Sequence, residues 1–311
     1  MKKLIVSSSP HIKSPLTTRR VMLDVIIALL PAVVAGAVIF GPRALAVLCV
    51  TVSAAVFSEF LFNIITRREQ TVDDLSAIVT GLLLGLNLRV DAPLWQCALG
   101  SIFAIIVVKC LFGGLGCNFA NPAITARVFL LISFAGTLAG GAAPTVSRAP
   151  ELVSGATPLE LISTGEELPS ILDMLLGMRG GAIGETCAIA LLLGFIYLVV
   201  RRIINLEIPL IFIGTVFVLF LIADSSFTVS LYQILSGGLL IGAIFMATDY
   251  VTSPVTRSGK MIFAFGCGLI TFLIRYFGSY PEGVSFAILF MNILSPYIEK
   301  WTAPRALGGK Y

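Results

Sequence analysis

Ten apolar stretches set the rhythm of the chain: 22–40, a second that begins after the Gly41-Pro42 turn and runs to 65, then 76–88, 94–112, 123–141, 182–204, 208–223, 229–246, 261–277 and 284–301. Charged or turn-forming residues separate them; Arg67-Arg68-Glu69 closes the second and Arg201-Arg202 the sixth. A helix needs ~20 residues to cross a bilayer, so most of these stretches predict spanning helices, while 76–88 is short for one. Pro31 is placed to kink the first. One long polar interruption, 142–180, carries Pro144, Pro150, Pro158 and Pro169 with several Ser, Thr and acidic residues. Irregular backbone of that kind leaves polar groups unsatisfied in lipid, so the segment belongs outside the hydrocarbon region.

The pattern carries a weak internal repeat. Thr80-Gly81-Leu82-Leu83-Leu84-Gly85 resembles Ser236-Gly237-Gly238-Leu239-Leu240-Ile241-Gly242, and Phe112-Gly113 resembles Phe277-Gly278. Two halves of five spans each are expected, and an odd number of spans inverts the second half relative to the first, as in many transporters. Small residues for close helix packing explain the same glycines. The expected division is an arm at 1–21, a first half at 22–141, the polar loop at 142–180, a second half at 181–303 and a tail at 304–311.

Composition agrees with a membrane class. Hydrophobic residues make up 57% of the 311, charged residues 12%, and mean hydropathy is +1.00, against about 25% charged in a soluble domain. The net charge of +4 needs no nucleic-acid partner, because basic residues collect in cytoplasmic loops and no aromatics interleave with them. Placed on ten spans, 16 Lys and Arg fall on the side of the termini and 5 opposite. The positive-inside rule then puts both termini in the cytoplasm and 142–180 outside it. Lys2 and Lys3 precede no apolar core of a signal peptide. The six cysteines form no C-x-x-C pair; they read as small buried apolar residues, with a cluster shared with another subunit as the alternative. His11 has no clustered partners, and no P-loop, dinucleotide fingerprint or nucleophile elbow is present.

Three constellations can carry chemistry. Thr157-Pro158-Leu159-Glu160 is a capping box, with Thr at the cap, Pro next and Glu at the third helical position. The same geometry suits a phosphate, since a helix start presents free N–H groups, and Gly155 and Ala156 after Ser154 allow close approach to the backbone. Glu160 counts against it as a like charge. Glu59 within the second span and Asp249 at the end of the eighth are candidates for an ion path, or else interfacial carboxylates paired with Arg67, Arg68 or Arg257. Asp24, Glu185, Glu207 and Glu282 lie near span ends and read as interfacial. Asn118 and Asn121, on the Gly-rich link before the fifth span, either meet a polar ring edge or ion, or satisfy their own turn.

With these residues in view the chain resembles the D subunit of the Rnf electron transport complex and, more distantly, the B subunit of the sodium-pumping NADH:quinone reductase. The ordered motifs are Ser7-Ser8-Ser9-Pro10-His11, Met22-Leu23-Asp24-Val25, Ala28-Leu29-Leu30-Pro31, Gly113-Gly114-Leu115-Gly116, Asn121-Pro122-Ala123, Ser154-Gly155-Ala156-Thr157, Ile183-Gly184-Glu185-Thr186, Met246-Ala247-Thr248-Asp249, Thr252-Ser253-Pro254, Tyr280-Pro281-Glu282-Gly283 and Met291-Asn292. Ala120 and Tyr250 depart from the family pattern, and the short N-terminal arm favours the Rnf side.

The resemblance implies an all-α polytopic membrane fold of about ten helices in two inverted halves, similar to urea and ammonia channels. It implies FMN joined through its phosphate to Thr157 by a separate flavin transferase acting outside the cytoplasm. The quinone reductase relative adds the expectation of a second flavin, riboflavin. The implied activity is that of a translocase component in a bacterial or archaeal cytoplasmic membrane. It relays electrons between ferredoxin and NAD and couples them to Na⁺ or H⁺ movement. Its implied partners are the other Rnf subunits, including another FMN-bearing subunit and membrane iron–sulfur subunits. A non-redox channel or transporter, or a scaffold that anchors redox partners, are the rival expectations.

Overall fold

The computed structural model describes residues 17–138, 157–165, 168–278 and 283–304. Helix α1, Thr18–Phe40, is capped by Thr17, whose side chain accepts from Arg20 N, and continues through Pro31. It stops at Gly41, whose φ of 74° turns the chain directly into α2, Pro42–Ile65, with Pro42 at the first helical position. That position tolerates proline because its N–H has no intrahelical partner. Then follow α3, Ser76–Leu86; α4, Leu94–Phe103; α5, Pro122–Ser133; and a single turn, α6, Ala135–Leu138. Two short helices, α7, Pro158–Thr164, and α8, Ile171–Leu176, precede α9, Ala188–Val200. The remainder is α10, Glu207–Asp224; α11, Phe227–Leu235; α12, Leu239–Ile241; α13, Arg257–Phe277; and α14, Val284–Thr302.

Each of the ten expected stretches contains helix, but not all are full crossings. Helices α1, α2, α10 and α13 are long and apolar enough to span a membrane. The eighth stretch is a bent pair, α11 and 239–246, with 64° between its arms. Shorter apolar helices fill the third, fourth, fifth and sixth stretches. Large apolar side chains such as Val34, Val38, Phe57, Ile65, Val200 and Ile222 are exposed on the outer faces, as lipid-facing surfaces require. The protein is an all-α polytopic membrane protein.

Neighbours recur. Helix α2 packs on α3 and α4, and α4 meets α5; α10 packs on α11 and α13, and α13 meets α14. The two sets join where α1 crosses α9 and α5 meets α14. The first crossing is close: a Cβ on Gly194 of α9 would lie 2.2 Å from the Ala28 carbonyl oxygen of α1. Buried Asp24 locks the same pair, accepting from Tyr197 Oη at 2.8 Å and from Arg201 Nη2 at 3.1 Å.

Gly194→Ala is expected to destabilise the purified protein by about 1–3 kcal/mol, the usual cost of overpacking. Gly214→Ala, where an added Cβ meets nothing within 4 Å, should leave thermal unfolding in detergent unchanged or slightly raised.

Candidate functional site

The bend in the eighth stretch leaves the C-terminal carbonyls of α11 without helical donors. Ser236 is extended and Gly237 has a φ of 60°. Two guanidinium groups replace the missing bonds. Arg275 donates to the carbonyls of Gln233 (2.6 Å) and Ser236 (3.1 Å). Arg179 donates to Leu235 O (2.5 Å), Glu185 O (2.8 Å) and Thr186 O (3.2 Å). Burial draws the Arg179 pKa down to about 10, against the opposing pull of the Glu185 carboxylate, so the group stays charged at neutral pH.

Helix α7 lies against this break. A Cβ on Gly237 would come within 2.9 Å of both Arg275 Nη2 and Leu159 Cδ1, so only the left-handed, side-chain-free residue fits between them. The capping box forms as the spacing predicts. Glu160 N donates to Thr157 Oγ1 (3.3 Å) and Thr157 N donates to Glu160 Oε2 (2.7 Å). Thr157 and Leu159 are buried. Ser154, Gly155 and Ala156 lie outside the described residues, as do His11 and Glu282.

Below the break, three polar groups from separate elements converge on Gly238. A Cβ there would lie 3.5 Å from Arg127 Nη1, 3.6 Å from Asn87 Oδ1 and 3.7 Å from Glu185 Oε2. Arg127 Nη1 also donates to Asn87 Oδ1. Asn87 Nδ2 reaches Met246 Sδ at 3.6 Å, and Asn121 Nδ2 donates to Met246 O at 3.4 Å. Met246 ends a wider helical turn, Gly242–Met246, in which Ala247 N bonds back five residues to Gly242 O. Such π turns are frequent at functional sites.

Past Met246 the chain borders a cavity of about 90 Å³ whose lining includes Ser76, Thr80, Lys109, Asn118, Asn121 and Asp249. Asn121 caps α5, its Oδ1 accepting from Ala123 N and Ile124 N. Asn118 Nδ2 donates to Ala120 O at 3.1 Å, satisfying its own turn. Asp249 accepts from Val251 N (3.3 Å) and Thr252 Oγ1 (3.2 Å). Burial raises its pKa, and those two bonds lower it in part. The arginine proposed to pair with it, Arg257, bonds Glu207 instead, at 2.6 Å. Glu59 lies behind the wall. It pairs with neither Arg67 nor Arg68 but with Lys109 Nζ at 2.7 Å, both side chains being at most 2% exposed. Lys109 belongs to a second π turn, Ala104–Cys110, which extends α4.

Residues 5–308 match the family described as NQR2, RnfD, RnfE. The chain belongs to that family. It is 45% identical over 309 residues to the D subunit of the Na⁺-translocating ferredoxin:NAD⁺ oxidoreductase complex of Acetobacterium woodii, covering 98% of this chain and 95% of that protein. It is 40% identical over 317 residues to the D subunit of the proton-translocating ferredoxin:NAD⁺ oxidoreductase complex of Clostridium ljungdahlii, covering 97% and 96%. To the D subunit of the ion-translocating oxidoreductase complex of Escherichia coli it is 33% identical over 346 residues, covering 97% and 98%.

For this family member, then, the structure brings Asn118, Asn121 and Asp249 onto one cavity, with Glu59 one side chain behind it. Thr157 is not part of that lining. Glu185, expected at an interface, is 3% exposed. Lys109, Arg127, Arg179 and Arg275 escaped the sequence reading as site residues. Lys109 and Arg127 are among the 16 cations on the side of the termini, yet both are buried; the excess on that side survives without them. A lysine inside an apolar stretch was the available signal, because such a charge needs a buried partner.

Arg179→Met removes all three bonds to the α11 and 185–186 carbonyls. It should cost about 3 kcal/mol or more in thermal unfolding, the scale for breaking a buried charged network. Arg179→Lys should not restore it, since an ammonium lacks the planar fork.

Proposed function

We propose that this chain is the D subunit of an Rnf-type complex, a membrane translocase component that relays electrons between ferredoxin and NAD and couples them to cation movement. The observation that carries this reading is 45% identity across 95% of the Acetobacterium woodii protein. The partners are the other subunits of that complex, including a second FMN-bearing subunit and iron–sulfur subunits, in a bacterial or archaeal cytoplasmic membrane. We read 22–141 and 181–303 as two inverted halves, supported by the neighbour pattern that occurs twice. Both termini are cytoplasmic in this reading, and 142–180 is on the opposite side.

We assign FMN, esterified through its phosphate, to Thr157. The hydroxyl fits that role. It accepts a bond from Glu160 N and donates none among the described residues, so replacing its hydrogen forfeits no bond there. Glu160 turns its Oε2 back onto the Thr157 N–H, where a nearby phosphate meets a carboxylate already engaged. When bound, FMN supplies one- and two-electron chemistry; the protein supplies position and electrostatics. Asn118 and Asn121 put amide groups on the inner cavity, and we assign a second flavin, riboflavin, to that edge. Glu59 and Asp249 are our assignment for the ion path.

On a denaturing gel under ultraviolet light, protein from cells with the flavin transferase should fluoresce and Thr157→Ala should not, with a flavin-phosphate mass on the peptide that contains Thr157. A dark native band, or a fluorescent Thr157→Ala band, sinks covalent attachment. For the ion path, Glu59→Gln or Asp249→Asn should lower ion pumping in liposomes several-fold more than ferredoxin:NAD⁺ electron transfer; equal loss of both counts against it.

A further inference from the structure

Lys109 has no part in the function proposed above, yet it is among the largest fully buried side chains of the molecule. Its Nζ donates to Glu59 Oε1 at 2.7 Å and to Ser76 Oγ at 2.6 Å. Thr71 Oγ1 gives the same Oε1 a second bond at 2.6 Å, and Asn63 Nδ2 holds Thr71 in place at 3.1 Å. Every bond to the carboxylate among the described residues falls on Oε1. Oε2 is buried and accepts none.

That asymmetry is a poor design for a permanent ion pair. Two buried charges offset their desolvation only when the remaining lone pairs are also satisfied. It is a good design for a site shared by two cations in turn. Glu59 Oε1 and Ser76 Oγ converge on the point where Nζ now lies, with Thr71 Oγ1 2.6 Å from the same Oε1, and hard oxygen ligands are what a small alkali or alkaline-earth cation takes. The lysine also has somewhere to go. Both Lys109 and half-buried Asp249 line the inner cavity.

We propose that Lys109 is a tethered competitor of the transported Na⁺: its ammonium occupies Glu59 in the sodium-free state, and Na⁺ taken by Glu59, Thr71 and Ser76 releases it into the cavity toward Asp249. One positive charge accompanies Glu59 in either state, so the carboxylate is never left bare in the apolar interior. Entry of the ion is thereby linked to a side-chain movement beside the groups assigned to the second flavin. The proposal rests on the cation-translocating function argued above.

Equilibrium binding of radioactive sodium to the purified complex, without electron donor, tests it. Because no turnover is needed, flavin content and ferredoxin:NAD⁺ activity of the same preparation report separately on the proposed function. A lysine that holds Glu59 for ~90% of the time or more weakens apparent affinity about tenfold or more. Lys109→Gln should therefore tighten sodium binding by about that factor, Lys109→Arg should not tighten it, and Glu59→Gln should abolish it. Where Lys109→Gln fails to assemble, Asp249→Asn, which leaves the buried pair intact, should weaken sodium binding several-fold by removing the destination of the released ammonium. Unchanged affinity in Lys109→Gln, unchanged affinity in Asp249→Asn where that variant stands in, sodium retained by Glu59→Gln, or no sodium bound by the native complex overturns the proposal.

Discussion

A helix cannot simply stop inside a membrane protein, because each carbonyl it abandons needs a donor and lipid supplies none. The break after α11 meets that constraint with two guanidinium groups: Arg275 and Arg179 between them hold the carbonyls of Gln233, Leu235 and Ser236. Much else follows. Arg179 must be buried, which requires the 177–187 segment to fold inward and brings Glu185 and Thr186 with it. Arg275 must reach from the end of α13, and Gly237 must be free of a side chain so that Leu159 of α7 can close the contact. The position of Thr157 is thus tied to the break through its neighbour two residues on.

The same break divides the polar interior. Toward α7 lie the arginines that cap α11. In the other direction a string of groups runs from Arg127 through Asn87 and Met246 to Asn121 and the inner cavity. The string works because the helix ends at Met246, whose carbonyl lies past the last intrahelical donor and accepts from Asn121 Nδ2 and, at 3.5 Å, from Asp249 N. Polar groups buried this deep are expensive unless satisfied, so a fold that keeps such a string retains it against its cost in stability. The cavity lies at one end of the string, and Thr157 lies two residues before Leu159, which meets Gly237 at the break.

Hydropathy and turn chemistry made the helical class and most helix positions legible, because an apolar run in a chain this poor in charge has few alternatives. Thr157 and Glu160 were legible in detail: a capping box depends on residues three apart, and local geometry enforces it. The partner of Glu59 was not. Arg67 and Arg68 are closer in sequence, but the pair is decided by which helix faces which, and α2 lies against the α4 extension that carries Lys109. Arg127, Arg179 and Arg275 escaped for a related reason. Counting charges by loop assumes that a cation near a span end meets water, whereas here the break in α11 and its polar surroundings draw these three inward. The two Gly-rich stretches that look alike in sequence also diverge. Gly81 lets α3 pack on α2, a Cβ there falling 2.7 Å from Val52 Cα, while Gly237 serves a left-handed turn.

The capping box bears on the flavin assignment in a way that spacing alone left unresolved. A glutamate one turn from an esterified threonine is a source of repulsion if its carboxylate is free to approach the phosphate. In the folded chain Glu160 Oε2 is held on the Thr157 N–H, which fixes its direction and offsets part of its charge with a donor without removing it. The bond that matters to the ester oxygen, from Glu160 N, needs only an acceptor, which a phosphoester still provides. Hydroxyl and ester are therefore interchangeable in the cap, and the helix can form before the flavin is attached and persist afterwards. On the proposed assignment the modified residue is one whose bond among the described residues is accepted, not donated; a threonine that donated its hydrogen to the core would have to break that bond to be modified.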